Sequence, residues 1–433
     1  MESFIVGLYI DPGTGSMLFT ILIGVTSAAV YAARGLILKG KTAIGGGRKA
    51  HRNDGKEEIV FFTDSKRYEN IFGPLCDEME KRGQSVLYLT VSPDDPLLAR
   101  KYEHVRTEFI GEGNKAFVRM NFIKASVVLS STPGLDVYQW KRSRDADFYV
   151  HIIHAPNDVT RYRMFGMDYF DAVLVSGEYQ VRQIRQLEEK RRLPAKDVQI
   201  VGLPQLDDLY RKLQEAGTPE KKTGTTVLLA PSWGPSGLLN VFGKQFIEKL
   251  LETDYHVIIR PHPQSMVSEK EMIETLREEF PDSDRLEWNF DNDNFNVLNR
   301  SDILISDFSG VMFEFTLVFG KPLIYTDVSF DKAVYDAAWL EEEPWTFRTL
   351  PRLGMQLTKE NFGRIGEMVE TCLNSPEFRA GRDRAREETW ANIGHSVETV
   401  ADYLIRKKEE LSAGSDTPEA NPASGKNEEN RDN

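Results

Sequence analysis

At 433 residues the chain has room for about two to three domains of roughly 150 residues each, and its hydrophobic fraction of 40% suffices to bury two cores. A charged fraction of 28% with 24 Phe, 15 Tyr and 6 Trp excludes a disordered chain, and 32 Gly with 20 Pro exclude a collagen-like or low-complexity one. The 54 basic and 67 acidic side chains leave a formal charge of −13; this argues against a nucleic-acid partner, because phosphate contacts need a basic surface.

The first segment differs in kind from the rest. No side chain from Pro12 to Ala33 is charged, and Met17 to Ala33 is largely apolar, long enough with Gly35 to Leu38 to cross a hydrocarbon core. We read one N-terminal transmembrane helix. A cleaved signal peptide would carry basic residues ahead of the apolar run, where Glu2 and Asp11 stand; a buried helix of a soluble domain is the other reading. Arg34, Lys39, Lys41, Arg48, Lys49 and Arg52 follow the run, so the positive-inside rule keeps the long remainder in the cytoplasm. Residues 1–55 are thus expected to be a membrane anchor and basic linker of a single-pass protein of the cell membrane. The Asp11 to Gly15 turn receives no function.

From Glu58 onward apolar runs alternate with helical spacing. Strands are expected at Glu58 to Thr63, Ser85 to Val91, Val105 to Ile110, Val127 to Ser131, Phe148 to His154, Ala172 to Ser176 and Val198 to Val201. Helices are expected at Tyr68 to Arg82, closed by Gly83, at Lys115 to Lys124 and at Glu178 to Arg192. Runs without polar alternation, separated by helices, indicate a mostly parallel sheet covered on both faces. The polar Gly217 to Gly224 marks a boundary, after which the pattern restarts. Its strands are expected at Thr226 to Ala230, His256 to Arg260, Leu286 to Trp288, Asp302 to Ser306 and Leu323 to Thr326. Helices are expected at Leu239 to Glu252, Glu269 to Phe280, Asn294 to Asn299, Gly310 to Phe319, Lys359 to Asn374, Glu377 to Trp390 and Ser396 to Lys408. The expected fold is α/β, with one Rossmann-like domain over 56–216 and a second over 217–411 that includes the terminal helices. Residues 412–433 are polar and rich in Pro, Gly and Ser, the composition of a disordered tail. Cys76 and Cys372, far apart and each in a helical segment, provide neither a disulfide framework nor a cysteine zinc site.

Candidate polar residues cluster just after strands, where doubly wound folds bind ligands. In Asp302 to Met312 a strand runs through Ser306 and Asp307 into Ser309 and Gly310, where a helix opening would aim N–H groups at a phosphate; a plain N-cap reads equally well. Glu314 in the first turn can bind a ribose hydroxyl or favour the helix dipole. After the strand His256 to Ile259, prolines bracket His262, which can donate to a phosphate as imidazolium or act as a general acid, with Arg260 as a permanent cation. His154 is expected at a strand end facing the second domain, a general-base candidate, while alternation sends His151 to the opposite face as a packed histidine. Asn157, Asp158, Arg161 and Arg163 follow as the acceptor side; the two arginines can equally be a solvated basic patch. Ser232, after the first strand of the second domain, can approach a phosphate or base. DxD-like triplets at Asp145, Asp282 and Asp291 are too common in an acidic chain to signal a metal, so neither a metal nor a cofactor is expected.

The strings "HAPND", "GLPQLDDL", "APSWG", "RPHP" and "NRSDILISDFSGVMFEFTLVFGKPLIYTD", in that order, resemble the CDP-glycerol glycerophosphotransferase family of teichoic-acid-type polymerases and primases. The resemblance spans about His154 to Lys332. It implies a GT-B fold of two facing Rossmann-like halves, often held at the membrane. It also implies transfer of glycerol phosphate from a CDP-alcohol to a hydroxyl of a lipid-linked or polymer acceptor, releasing CMP. His154 would be the catalytic base, and His262 would hold or protonate the diphosphate. Ser306 to Gly310 would contact phosphate, with Arg260, Ser232 and Glu314 beside them. Ala155 to Asp158 replace the family's usual Gly-Thr-Pro after the histidine, and Gly310 replaces a serine. A GT-B enzyme using a UDP-sugar, or a noncatalytic nucleotide-binding scaffold, are the alternatives.

Overall fold

The apolar runs become two all-parallel sheets in the computed structural model, which describes residues 55–217, 219, 223–291, 293–307, 309–326 and 332–415. The expected membrane helix and linker, part of the Gly217 to Gly224 boundary and the tail from 416 lie outside the described residues. Among the described residues no helix is long and apolar enough to cross a membrane.

The first sheet holds β1 (Glu57–Thr63), β2 (Val86–Thr90), β3 (Val105–Phe109), β4 (Ala125–Ser130), β5 (Ala146–Ile152), β6 (Ala172–Val175) and β7 (Asp197–Ile200), in spatial order β3-β2-β1-β4-β5-β6-β7. The second holds β8 (Thr226–Leu229), β9 (His256–Ile259), β10 (Leu286–Trp288), β11 (Ile303–Ser306), β12 (Leu323–Thr326) and β13 (Gly354–Leu357), in the order β10-β9-β8-β11-β12-β13. Each sheet therefore reverses its winding once, between β1 and β4 and between β8 and β11. Crevices open at such points beyond the carboxyl ends of the strands.

Both faces of each sheet are covered, which explains the unbroken apolar runs: Ile59, Val60, Phe61 and Phe62 of β1 are all buried. The helix Glu69–Lys81 presents Ile71, Phe72, Leu75, Cys76 and Met79 to one face. It ends two residues before Gly83, whose φ of +66° turns the chain into β2. Cys76 and Cys372 are buried and free, in separate cores.

Three elements depart from the sequence expectation. The last helix, Ser396–Ser415, was expected with the second domain, yet Val400, Ala401, Tyr403 and Leu404 complete the core of the first. Its apolar stripe fits the face of the first sheet beside the helix Glu69–Lys81, and Asp207 fastens the approach by accepting from Trp390 Nε1, Gly394 N and Ser396 N at 2.8, 2.9 and 2.8 Å. β13 went unread because it is four residues long and opens on Gly354, where a Cβ would lie 1.6 Å from Leu323 O. The expected helix Gly310 to Phe319 is α-helical only over Val311–Phe313 and widens to a π-helix over Glu314–Val318, a distortion that recurs at functional sites.

Candidate active site

The crevices of the two sheets and the strands beside them supply the site. After β1 the chain turns at once: Ser65 caps a short 3₁₀ turn by accepting from Arg67 N, and its hydroxyl also accepts from Arg67 Nε at 3.1 Å. This leaves the exposed Arg67 guanidinium without a carboxylate at ion-pair distance among the described residues. The next residue, Tyr68, lays its ring 4.9 Å from that of His154. His154 lies two residues beyond the end of β5, so strand alternation no longer governs it. It does not point away from His151 as alternation predicts: both imidazoles reach the Tyr162 hydroxyl, from His154 Nδ1 at 3.4 Å and from His151 Nε2 at 3.2 Å.

His154 is mostly buried, and burial, then the charge of Arg67, push it down to about 4. Burial, then His154, push His151 down to about 3. Both rings are therefore neutral at neutral pH. His262 follows β9 and is half-buried; burial and again Arg67 lower its pKa, while Asp307 and Glu269 oppose them. One guanidinium from the first half thus acts on an imidazole of each half. Gln264 N donates to His262 Nδ1 at 3.0 Å, which fixes the proton on Nε2. In that tautomer the ring offers its Nε2–H as a donor. Arg260 is held by Asn289 Oδ1 and by the carbonyl of Asp291 at 2.7 Å. Glu314, whose carboxyl burial raises, accepts from Asn294 Nδ2 at 2.9 Å and feels Arg260.

Several expected phosphate ligands are engaged inside the protein instead. The Ser306 hydroxyl donates to Ala230 O at 2.6 Å and is fully buried. The Asp307 carboxylate accepts from the backbone N–H groups of Ser232 at 2.9 Å and Leu238 at 3.0 Å, so it shapes the loop after β8. A carboxylate there would also repel phosphate. The Ser232 hydroxyl is buried and has no hydrogen-bond partner among the described residues. Ser309, half-buried, and the exposed Gly310 remain at the opening ahead of Val311.

The acceptor-side group divides similarly. Asp158 is 2% exposed, and its carboxylate accepts from Trp345 N at 2.6 Å, from Thr346 N at 2.9 Å, from the Thr346 hydroxyl at 2.7 Å and from the Gln183 amide. It caps the helix Trp345–Leu353 of the second half, so it is a tie between halves and not an acceptor ligand. Asn157 receives Gln180 Nε2 on its carbonyl at 2.7 Å and Arg161 Nη1 on its side chain at 3.3 Å. Arg163 is exposed and pairs its backbone with Tyr335.

Arg161 lines two cavities at once. One, of about 150 Å³, holds His154, Asn157 and Tyr162; the other, of about 470 Å³, is bounded by Asp307, Met312, Tyr325, Thr326 and Gln356 at the ends of β11 to β13. Wider space of about 770 Å³ between the helices Glu69–Lys81 and Pro204–Glu215 holds none of the candidate residues. Arg67, Tyr68 and Tyr162 escaped the sequence reading. The signal for Arg67 and Tyr68 was positional, polar and aromatic side chains directly after β1 at the winding reversal, and Tyr162 lies in the loop after β5.

The two doubly wound halves place polar strand ends around two cavities that share Arg161. Residues 161–338 match the family model described as CDP-Glycerol:Poly(glycerophosphate) glycerophosphotransferase. Over that segment, which is less than half of its length, the chain is similar to this family. Among solved structures, the wall teichoic acid polymerase TagF is similar at a TM-score of 0.52 and 14% identity, over 84% of this chain and 92% of that one. UDP-GlcNAc 2-epimerases from Neisseria meningitidis (TM-score 0.51, 11% identity, 80% and 99% covered) and Methanocaldococcus jannaschii (0.50, 12%, 80% and 99%) are similar too. At such identities the likeness concerns the fold alone. No curated protein matches the chain in sequence.

Proposed function

We propose that the protein moves glycerol phosphate from CDP-glycerol to a hydroxyl of a lipid-linked or polymeric acceptor of the cell envelope and releases CMP. The observation that carries this reading is that neutral His154 of one half and N–H-donating His262 of the other lie under the field of the same guanidinium, Arg67.

In this reading the acceptor hydroxyl gives its proton to His154 Nε2, the nitrogen turned from Tyr162. Its oxygen forms a bond to the phosphorus that carries glycerol, while the bond from that phosphorus to the bridging oxygen breaks and leaves its electron pair on CMP. Arg67, Arg260 and the His262 N–H face the charge that builds on the bridge, and fixed donors of this kind supply most of the barrier lowering in phosphoryl transfer. The cavity of about 470 Å³ below β11 to β13 suits the nucleoside. The protein is further proposed to sit on the cell membrane through its N-terminal segment with both halves in the cytoplasm. A chain starting at Lys56 that partitions to membranes as firmly as the full chain refutes that anchor.

Alanine at His154 or His262 should abolish transfer from CDP-glycerol to a glycerol-phosphate-primed lipid while leaving folding intact; unchanged transfer in either variant overturns the assignment. Thermal shifts with CDP-glycerol, CDP-ribitol, CMP, UMP and UDP-sugars separate this donor from a UDP-sugar, because stabilisation follows affinity.

A further inference from the structure

The proposed chemistry leaves the pair behind His154 unexplained. Tyr162 turns its ring edge-on to both imidazoles, with centroids 6.0 Å from His154 and 5.4 Å from His151. Its hydroxyl, between His154 Nδ1 and His151 Nε2, has one proton to give, so the three groups must share one direction of donation. The far end sets it. His151 is fully buried against Phe170, 5.1 Å between rings, and as a neutral ring it carries a single N–H. Its Nδ1 is sealed from solvent, and the Thr132 backbone hydrogen-bonds this ring in its protonated form, a bond left to Nδ1 because Nε2 faces Tyr162. With that proton on Nδ1, Nε2 accepts from the Tyr162 O–H. The tyrosine oxygen then accepts from His154 Nδ1–H, and the lone pair of His154 falls on Nε2. The opposite direction would put a hydrogen on His154 Nε2 and disable it as a base.

We propose that Tyr162 and His151 are positioning residues that hold His154 in the tautomer whose bare nitrogen, Nε2, faces the acceptor. This rests on His154 being the base. Arg67 and Tyr68 are the other ionisable groups turned toward the ring, and neither bonds Nδ1. Such an arrangement fixes a ring through its distal nitrogen, as a carboxylate does in hydrolytic triads, here with no buried charge.

In Tyr162→Phe, kcat should fall about tenfold, the worth of one hydrogen bond, with KM for CDP-glycerol unchanged. The acid limb of the kcat profile should move to lower pH, because the imidazolium loses its acceptor. His151→Gln offers an acceptor oxygen to the Tyr162 hydroxyl and should keep most of the activity, whereas His151→Leu should follow Tyr162→Phe. Nitrogen-15 spectra of the full protein read the tautomer directly and should show His154 protonated on Nδ1, mixing with the other form in Tyr162→Phe. Thermal unfolding and CMP binding check the fold of each variant. A wild-type kcat and pH profile in Tyr162→Phe, a loss confined to KM, or a spectrum with the proton on Nε2 overturns the inference. Loss of transfer in His154→Ala beside a silent Tyr162→Phe refutes the positioning alone; intact transfer in His154→Ala refutes the catalytic reading and this inference together.

Discussion

Asp158 offers a direct test of how the two halves are held together. Asp158→Ala removes the acceptor of two buried backbone N–H groups, those of Trp345 and Thr346, at the start of the helix Trp345–Leu353. Each buried donor left without a partner costs about 1–3 kcal/mol. The Thr346 hydroxyl and the Gln183 amide can rotate to other acceptors and add little. The expected loss is therefore about 3–4 kcal/mol, and Asp158→Asn, which keeps one carbonyl oxygen, should lose about half of that. Urea unfolding at constant m-value measures the loss, and amide hydrogen exchange localises it, since the protection of Trp345 and Thr346 should fall first. A variant within about 1 kcal/mol of the parent, or one whose exchange at these two amides is unchanged, would refute the account of Asp158 as a cap lent from one half to the other.

Other outcomes follow from the same geometry. His151 and His154 bind a proton more weakly folded than unfolded, so stability should be level above about pH 6.5 and decline as pH falls toward about 4 for His154 and about 3 for His151; His154→Phe should flatten part of that decline in acid-unfolding curves. Arg67→Gln should lower kcat/KM for CDP-glycerol by about tenfold to a hundredfold and raise the titration midpoints of both His154 and His262 by NMR, and an effect on only one ring would count against their common field. Leu404→Ala, fully buried in the last helix, should cost about 2–5 kcal/mol by denaturant melts even though the residue is far along the chain from the core it fills; a near-neutral result would contradict that packing.

The two-sheet architecture was legible because strands buried on both faces must be apolar throughout, as in β1 and β11, and because Gly83 marks a helix end through its backbone. The histidines at strand ends were legible for the same reason: the chain order of β5 and β9 determines where their ends open. The partners were not. Asp158, Ser306 and Asp307 sit where ligands sit, and a sequence cannot distinguish a polar group aimed at a ligand from one that satisfies a backbone N–H or carbonyl 69, 76 or 187 residues away. Alternation failed at His154 because β5 stops at Ile152. Arg67 and Tyr68 follow a strand with no motif around them, and their relevance emerges only when Tyr68 meets His154 across the sheet. The last helix was assigned to its neighbours in sequence, since an amphipathic stripe states that a face is buried without stating against what.

That returning helix bears on how the protein is made. A ribosome delivers the seven strands of the first sheet long before Val400 to Leu404 leave the exit tunnel, so this half waits with an uncovered apolar face until those residues emerge. Nascent chains halted before residue 396 should therefore engage chaperones through the first half, and emergence of the last helix is the step that closes it.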